Sequence, residues 1–313
     1  MRRCIIDTDT ASDDAVALVL ALQNPDVSVA AITVVAGNVP LEQGVQNALY
    51  TVELCGADVP VYAGRAAPLL RPLETAQSVH GHDGMGDIGL PLRGRTPAPG
   101  HAADVIIEQI ARAPGQITLV ALGPLSNIAL ALLRAPEIAR QVERCVVMGG
   151  ASDGYGNITP IAEYNIWTDP EAARIVFDSG MPITMVGWDI SRRYAVFGPD
   201  DAARLRAIGT PLAHFCLDIQ AALEIWTRDK TMLSGFDLPD PITMAVAIDP
   251  AVATETLRVP VLVEIGDGPC RGQTVLDHRG ILGRPHAAEV VVAADRARFV
   301  ELLEQALASQ GRR

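Results

Sequence analysis

The sequence has few aromatic residues and little positive charge. Phe, Trp and Tyr make up 4% of its 313 residues, and 25 Lys and Arg stand against 37 Asp and Glu, giving a formal net charge of −12. Nucleic acids and anionic membranes are bound by basic surfaces, so this charge argues against both as partners. Part of the acidic excess is explained if carboxylates build a cation site.

Paired cysteines and long apolar runs are also missing. The absence of any Cys-x-x-Cys pair argues against a zinc site or a disulfide framework and predicts reduced, mostly buried thiols. The most apolar window, Ile117 to Leu133, is interrupted by Gly123-Pro124, and the first apolar run ends at Asp7, so we expect neither a membrane span nor a signal peptide. These features predict a cytoplasmic protein. The cysteines are Cys4, Cys55, Cys145, Cys216 and Cys270.

Short apolar segments alternate with helical periodicities along nearly the whole chain, without a linker, a repeat or a low-complexity segment. Strands are predicted at residues 4–6, 27–35, 59–62, 117–122, 145–148, 182–186, 259–265 and 289–292, and helices at 15–22, 41–54, 105–111, 128–134, 170–179, 199–208, 212–226, 241–248 and 294–308. Residues 64–100, rich in Gly, Pro and Arg, are expected to be partly irregular. This alternation predicts one α/β domain over residues 1–313, with a largely parallel, Rossmann-like central sheet covered by helices on both faces.

Four aspartates within eight residues follow the first predicted strand: Asp7, Asp9, Asp13 and Asp14. Ligands in α/β folds bind at the carboxyl ends of strands, and crowded carboxylates there need a neutralising cation. A set of oxygen ligands favours Ca²⁺ or Mg²⁺ over zinc. The alternative is that Asp13 caps the following helix and Asp14 benefits from its dipole. Because capping leaves Asp7 and Asp9 unexplained, we favour the metal site.

The segment Asp7-Thr8-Asp9-Thr10 is also similar to the first motif of haloacid-dehalogenase-like phosphatases, which use Mg²⁺ and an aspartate nucleophile. That family requires a later lysine and a distal acidic motif. This chain has a single lysine, Lys230, and Gly266-Asp267-Gly268 lacks the second acid. A Mg²⁺-dependent phosphatase is therefore a weaker alternative.

The longer stretch Asp7-Thr8-Asp9-Thr10-Ala11-Ser12-Asp13-Asp14-Ala15 resembles the N-terminal signature of the nucleoside hydrolases, of the inosine-uridine preferring type, with Thr10-Ala11 in place of the common Pro-Gly. Further segments match in the family's order, from residue 5 to about residue 250. They are Gly37-Asn38, Ala121-Leu122-Gly123-Pro124-Leu125-Ser126-Asn127, Val146-Val147-Met148-Gly149-Gly150, Gly156-Asn157, Glu163-Tyr164-Asn165, and Asp240 before an apolar helix.

The resemblance implies the nucleoside hydrolase fold and hydrolysis of the N-glycosidic bond of ribonucleosides to ribose and free nucleobase by a Ca²⁺-bound water. It assigns the Ca²⁺ ligands to Asp9, Asp14, Asp240 and the Leu122 carbonyl, and makes Asp9 the general base. An anionic pocket of this kind stabilises an oxocarbenium-like transition state. The family also implies a homodimer or homotetramer. The implied substrate-binding residues are Asp13, Asn38, His80, Met148, Asn157, Glu163 and Asn165.

The match weakens at Pro239, where many family members carry His, Trp or Cys. Proline neither donates a proton nor stacks as tryptophan does, so the sequence leaves the leaving-group acid open. His80 is a substitute near the base, whereas His82 is expected to lie in a surface loop. Trp226, Arg228 and Lys230 are further candidates to contact a base.

Two further questions remain open at this stage. A nucleoside- or ribose-binding protein without turnover is an alternative to the hydrolase, although a pure binder would not need the predicted base Asp9. The sequence also leaves open whether a purine, a pyrimidine or a modified base is preferred.

Overall fold

A mostly parallel β-sheet runs through the computed structural model, which describes residues 1–231 and 233–309. The strands are β1 (Arg2–Thr8), β2 (Val27–Val34), β3 (Val61–Ala63), β4 (Ile117–Ala121), β5 (Arg144–Met148), β6 (Ile183–Val186), β7 (Val196–Phe197), β8 (Phe236–Asp237), β9 (Ala253–Val259), β10 (Val261–Val263), β11 (Thr274–Leu276) and β12 (Ala288–Ala294).

Helices connect most of these strands. They are α1 (Ser12–Gln23), α2 (Leu41–Leu54), α3 (Gln77–His80), α4 (Ala102–Arg112), α5 (Ser126–Arg134), α6 (Tyr164–Thr168), α7 (Pro170–Asp178), α8 (Trp188–Tyr194), α9 (Pro199–Arg206), α10 (Pro211–Asp218), α11 (Ala221–Lys230), α12 (Pro239–Ile248) and α13 (Arg296–Ala308), with short 3₁₀ turns at Pro136–Arg140 and Pro250–Val252.

The strand order of the main sheet is β3-β2-β1-β4-β5-β6-β12-β9, and only the edge strand β9 runs antiparallel to its neighbour. The chain first winds outward from β1 through β2 to β3, and then resumes on the other side of β1 with β4. The order therefore reverses between β1 and β4. In open α/β sheets, ligands bind in the crevice that such a reversal leaves at the carboxyl ends of the strands.

The sheet is buried on both faces. Ile5 of β1 packs into one hydrophobic core and its neighbour Ile6 into the other, because successive side chains of a strand point to opposite faces. Helices α1, α12 and α13 cover one face, while α4, α5 and α7 cover the other. Every residue of α1 is buried, and between Asp14 and Gln23 the helix is apolar on all sides.

The predicted α/β class, with its largely parallel sheet between two layers of helices, is confirmed. Two predictions of elements are wrong. The helix predicted at 212–226 is two helices, α10 and α11. The strand predicted at 259–265 is interrupted at Pro260: the segment before it forms the edge strand β9, and the shorter β10 after it pairs with β11 outside the main sheet.

The cysteines agree with the expectation of reduced, mostly buried thiols. All five are free, and only Cys270 is exposed. Among residues 1–231 and 233–309, no helix is both long and apolar enough to cross a bilayer.

The last helix is anchored by Phe299, which is fully buried and lies edge-on to Phe197, with 5.9 Å between ring centroids. We expect Phe299→Ala to lower the free energy of unfolding by about 3–5 kcal/mol, because it removes the buried ring and leaves a cavity. Urea denaturation measures the change. Leu133→Ala, at an exposed position of α5, is the control and should change the free energy of unfolding by less than about 0.5 kcal/mol. Equal losses of stability in the two variants would contradict the burial of Phe299 in the core.

Candidate active site

A cleft of about 370 Å³ lies at the carboxyl ends of the central strands. Its walls come from the segments that follow β1, β2, β4, β5 and β6, as the strand-order reversal predicts. Nine of the eleven site residues predicted from the sequence line it, and the other two, Asp9 and Asp14, are fully buried beside it. The nine are Asp13, Asn38, His80, Leu122, Met148, Asn157, Glu163, Asn165 and Asp240.

Three carboxylates meet at the floor of the cleft. One oxygen from each of Asp13, Asp14 and Asp240 lies within 4.8 Å of the other two, and all three side chains are buried. Burial raises the pKa of Asp13 to about 7 and that of Asp14 to about 6. Burial, followed by repulsion from Asp14, Asp13 and Asp9, also raises the pKa of Asp240 well above its usual range. The ionised cluster is therefore costly without a positive charge.

Asp14 is fixed by the start of α1. Its Oδ1 accepts a hydrogen bond from Thr8 Oγ1 at 2.5 Å, and its Oδ2 accepts one from the Ala11 backbone N–H at 2.9 Å. The capping role considered for Asp13 thus falls to Asp14. Asp13 Oδ1 is left buried and without a hydrogen-bond partner within the described residues.

Asp9 is held just behind the three carboxylates. Its Oδ2 accepts a hydrogen bond from the Asn38 backbone N–H at 2.6 Å, whereas its buried Oδ1 has no partner in the described part of the chain. Burial and the charge of Asp14 raise its pKa well above the usual range. Two glycines make room for it: a Cβ on Gly37 would overlap Asp9 Oδ2, and one on Gly123 would lie 2.8 Å from Asp9 Oδ1.

These features fit a hard cation. Three buried carboxylate oxygens, Asp7 Oδ2, Asp9 Oδ1 and Asp13 Oδ1, lack partners among the described residues, and the last two lie in or beside the cleft. No Lys or Arg is found among the described residues that line the cleft. Leu122 lines the same cleft, and its carbonyl oxygen accepts a hydrogen bond from Asn165 Nδ2 at 2.7 Å. Carboxylate and carbonyl oxygens are the donor set of Ca²⁺ and Mg²⁺ sites.

Asp7, the remaining one of the four N-terminal aspartates, makes contacts that are structural. Its Oδ1 accepts hydrogen bonds from Thr33 Oγ1 at 2.5 Å and from Asn127 Nδ2 at 2.9 Å. The Asn127 amide also donates to the Val34 carbonyl, and its oxygen accepts from the Arg65 backbone N–H. Asp7 therefore ties β1 to β2 and to the start of α5.

Polar residues of the segment after β5 form the opposite wall. Glu163 is the N-cap of α6 and accepts hydrogen bonds from the backbone N–H groups of Asn165 and Gly150 at 2.8 and 2.9 Å. Burial raises its pKa to about 7. Asn157 Oδ1 accepts a hydrogen bond from the Tyr164 backbone N–H at 2.9 Å, which pins the loop before α6. Carboxylate and amide groups are thus held where they can bind hydroxyl groups.

His80, at the end of α3, lies over the acidic floor. Its Nδ1 is 2.9 Å from Ser12 Oγ and 3.8 Å from Asp13 Oδ1. Burial lowers its pKa to about 4, so the ring is neutral at pH 7. His82 is exposed and does not line the cleft, as expected from the sequence.

The other end of the cleft was mostly missed by the sequence reasoning. Trp226 does line it, but Arg228 and Lys230 are exposed on α11. Two further residues there, Trp188 and Asp237, carried no motif. Trp188 is the first residue of α8, and Asp237 lies three residues before the expected metal ligand Asp240. Their places in the chain were the only signal in the sequence that they could lie near the site.

Comparison with known proteins gives a consistent picture. The family described as inosine-uridine preferring nucleoside hydrolase matches residues 4–301. The pyrimidine-specific ribonucleoside hydrolase RihB of Escherichia coli is 38% identical over 305 residues, 97% of this chain and 96% of the relative. The plant nucleoside hydrolase PpNRh1 has a TM-score of 0.93 at 34% identity, covering 98% of this chain and 99% of that one. A purine-preferring ribonucleoside hydrolase from Gardnerella vaginalis has a TM-score of 0.90 at 33% identity, covering 98% of each chain.

The clustered carboxylates predict that Ca²⁺ stabilises the fold. A ligand that binds only the folded chain adds about 2.7 kcal/mol to the free energy of unfolding at a hundred times its dissociation constant. We therefore expect excess Ca²⁺ to raise the melting temperature of the chelator-treated protein in differential scanning calorimetry. Asp240→Asn should lose most of this rise, because it removes one of the three clustered charges.

Asp26→Asn, at an exposed turn, is the matched charge control and should keep the full rise. An unchanged melting temperature of the unmodified chain in saturating Ca²⁺ and in saturating Mg²⁺ would exclude the cation site.

The packing around Asp9 predicts that Gly37→Ala displaces the carboxylate, because the added methyl overlaps Asp9 Oδ2. We expect Ca²⁺ affinity, measured by isothermal titration calorimetry, to fall at least about tenfold, which corresponds to the loss of one good contact of about 1.4 kcal/mol. Gly268→Ala, where a methyl meets no atom within 4 Å, is the control and should bind normally. Equal affinity in both variants would contradict the described position of Asp9.

Proposed function

Because the chain belongs to the inosine-uridine preferring nucleoside hydrolase family, we propose that it hydrolyses the N-glycosidic bond of ribonucleosides to ribose and free nucleobase. The observation that carries the proposal is the cleft itself. It joins a buried cluster of carboxylates to a wall of amide and carboxylate groups, and its other end is aromatic. A ribonucleoside has the matching parts: vicinal hydroxyl groups and a flat base.

We assign the cation site to Asp9, Asp14, Asp240 and the Leu122 carbonyl, with Ca²⁺ as the ion. When bound, the ion would lower the pKa of a coordinated water and help to bind ribose hydroxyl groups. Asp13 clusters with Asp14 and Asp240 but is not assigned to the ion, and its unpartnered Oδ1 is available to a ribose hydroxyl.

Asp9 is the proposed general base. Its Oδ1 is buried and unpartnered, while its Oδ2 is fixed by the Asn38 backbone N–H. A carboxylate oxygen without a partner is free to accept a proton from the attacking water. The base is thus held in one orientation with one oxygen free.

The ribose is proposed to lie between the acidic floor and the wall after β5. Asp13, Asn38, Asn157, Glu163 and Asn165 supply acceptors and donors for its hydroxyl groups, and Met148 and His80 complete the contacts around it. Positive charge develops on the sugar as the N-glycosidic bond breaks, and the surrounding carboxylates stabilise it. The same groups therefore bind the substrate and its transition state.

The two alternatives have weaker support. A phosphatase of the haloacid-dehalogenase type needs a lysine near the site, and Lys230 is exposed on α11. A nucleoside-binding protein without turnover would not need the general base that Asp9 is proposed to supply. A homodimer or homotetramer and a cytoplasmic location stay predictions from the sequence.

We expect the purified protein to release reducing sugar from at least one of uridine, cytidine, inosine, adenosine and guanosine in the presence of Ca²⁺. Removal of the ion with a chelator should abolish release, because the ion proposed to bind Asp9, Asp14 and Asp240 is then absent and no longer activates the water. Added Ca²⁺ should restore release. A colorimetric reducing-sugar assay measures this. Absence of release from every nucleoside by protein that binds Ca²⁺ would overturn the proposed hydrolysis.

Asp9→Asn tests the general base. The amide keeps the size of the side chain and still accepts the hydrogen bond from Asn38, but it cannot take a proton. We expect kcat to fall at least about 100-fold, the usual contribution of a general base. Asp7→Asn, which changes the carboxylate bonded to Thr33 and Asn127, is the control and should affect stability more than kcat.

A further inference from the structure

All three tryptophans of the chain line the cleft: Trp167, Trp188 and Trp226. Trp188 has a fixed edge, because its Nε1 donates a hydrogen bond to the buried carboxylate of Asp237 at 2.9 Å. Flat bases stack readily on an indole ring. A stacking surface adds most affinity when the ring already has its final orientation before the base arrives. The contacts that hold the Trp188 ring therefore bear on how tightly a base is bound.

Arg192 covers the Trp188 ring from outside the cleft. Its guanidinium carbon lies 4.7 Å from the centroid of the Trp188 ring and 5.6 Å from that of the Tyr155 ring. Arg192 is not among the described residues that line the cleft, whereas Trp188 is. Both belong to α8 and stand one helical turn apart, on the same side of the helix. Because tryptophan is the ring that attracts a cation most strongly, this contact holds the indole in place.

The same guanidinium holds the loop that follows β5. Its Nη2 donates a hydrogen bond to Asp153 Oδ2 at 2.6 Å. The other oxygen of Asp153 accepts a hydrogen bond from the Tyr155 backbone N–H at 3.2 Å, so the carboxylate also bends the loop in which it lies. Asn157, a proposed contact of the ribose, follows two residues after Tyr155 and lines the cleft. Arg192 is thus connected both to the stacking surface and to the sugar-binding loop.

The middle of this loop has few other attachments. Its start is fixed by Ser152, which bonds to Asp189, and its end by Asn157, which accepts a hydrogen bond from the Tyr164 backbone N–H. Between these points, Arg192 and Arg193 are the only residues in the described part of the chain that bond to the loop from outside it.

The two arginines differ in what they hold. Arg193 reaches Asp153 Oδ2 at 3.0 Å, but its side chain is 47% exposed, against 23% for Arg192. Exposed ion pairs contribute little. Over the residues that the structure describes, Arg193 also lies against no aromatic ring. The link between Trp188 and the loop therefore depends on Arg192.

We propose that Arg192 is a positioning residue that serves both parts of the substrate. It fixes the Trp188 ring on which the base stacks, and through Asp153 it fixes the loop that carries Asn157 to the ribose. The inference rests on the proposed function, because it describes how the same site is held ready for its substrate. Since Arg192 does not line the cleft, it acts on the binding of the substrate and not on the breaking of the bond.

Arg192→Met tests this role because methionine is a long side chain without a charge. The substrate is whichever of uridine, cytidine, inosine, adenosine and guanosine the unmodified protein hydrolyses best. We expect KM to rise about tenfold, the size expected for one lost contact of this kind, and kcat to change less than about twofold. Loss of an interaction shared by the bound substrate and the transition state has this signature. A lower kcat at unchanged KM would overturn the proposal.

Arg193→Met is the matched control. It removes an ion pair with the same oxygen of Asp153 but leaves the contact with the Trp188 ring in place. Its KM should stay within about twofold of that of the unmodified protein. If the two variants had the same KM, raised or not, the proposed role of Arg192 would be refuted.

A double variant separates positioning of the ring from a general effect on the fold. In a Trp188→Ala background, Arg192→Met should raise KM by a smaller factor than it does in the unmodified protein, because the ring that it positions is already gone. A general loss of structure would raise KM by the same factor in both backgrounds. Equal factors would therefore overturn the proposal.

Tryptophan fluorescence gives a readout that needs no turnover. Because all three tryptophans line the cleft, the emission spectrum reports on the cleft alone. We expect Arg192→Met to shift the emission maximum to longer wavelength, since water gains access to the Trp188 ring, and Arg193→Met to leave the spectrum unchanged. An unchanged spectrum of Arg192→Met would count against the proposal.

Arg192→Lys decides the question if Arg192→Met does not fold. Lysine can still pair with Asp153, but its compact ammonium group does not lie flat on the indole. We expect the same direction of the emission shift and a rise in KM of at least about threefold. An unchanged spectrum together with an unchanged KM would overturn the proposal.

Failure of the proposed function is distinguishable from failure of this inference. If the unmodified protein releases sugar from no nucleoside, the hydrolase proposal fails, and the dissociation constants of the same nucleosides, measured by calorimetry, replace KM in the comparison of variants. If sugar is released and the two arginine variants behave alike, only the role of Arg192 fails.

Discussion

Mutual repulsion of buried carboxylates is the constraint on which the rest of this structure depends. Asp13, Asp14 and Asp240 come within 4.8 Å of one another, with Asp9 behind them, in a region where the described lining has no Lys or Arg. Such a cluster persists in its ionised form only if the surrounding fold holds it and a cation neutralises it. The backbone N–H groups and hydroxyl that bind Asp9 and Asp14, and the glycines that make room, all serve that purpose.

The fold was largely predictable because its strands are buried on both faces. Such strands read as continuous apolar runs separated by helical periodicity, and this pattern identifies a parallel α/β sheet. One error occurred where burial is partial. In β9 only Val259 is buried, and most of its other residues are exposed, so the strand has no apolar run. The break between α10 and α11 lies within a segment that keeps its helical pattern.

The site was predictable where its residues follow strands in the chain. Asp9, Asn38 and Leu122 stand just past the ends of β1, β2 and β4, and the strand order brings those ends together. Asp237 and Trp188, which line the other end of the cleft, were missed because separate segments bring them together, through the hydrogen bond from Trp188 Nε1 to Asp237 Oδ2.

The complete burial of α1 has a consequence for the order of folding. This first helix packs against α2, α12 and α13, and two of those partners lie in the last quarter of the chain. During synthesis from the N-terminus, α1 and its aspartates are therefore made long before their packing partners. The part of its apolar surface that α12 covers stays exposed until α12 emerges, and α12 also brings Asp240. Closure of the core and completion of the proposed cation site thus coincide, so an ion bound there would add its free energy to this late step of folding.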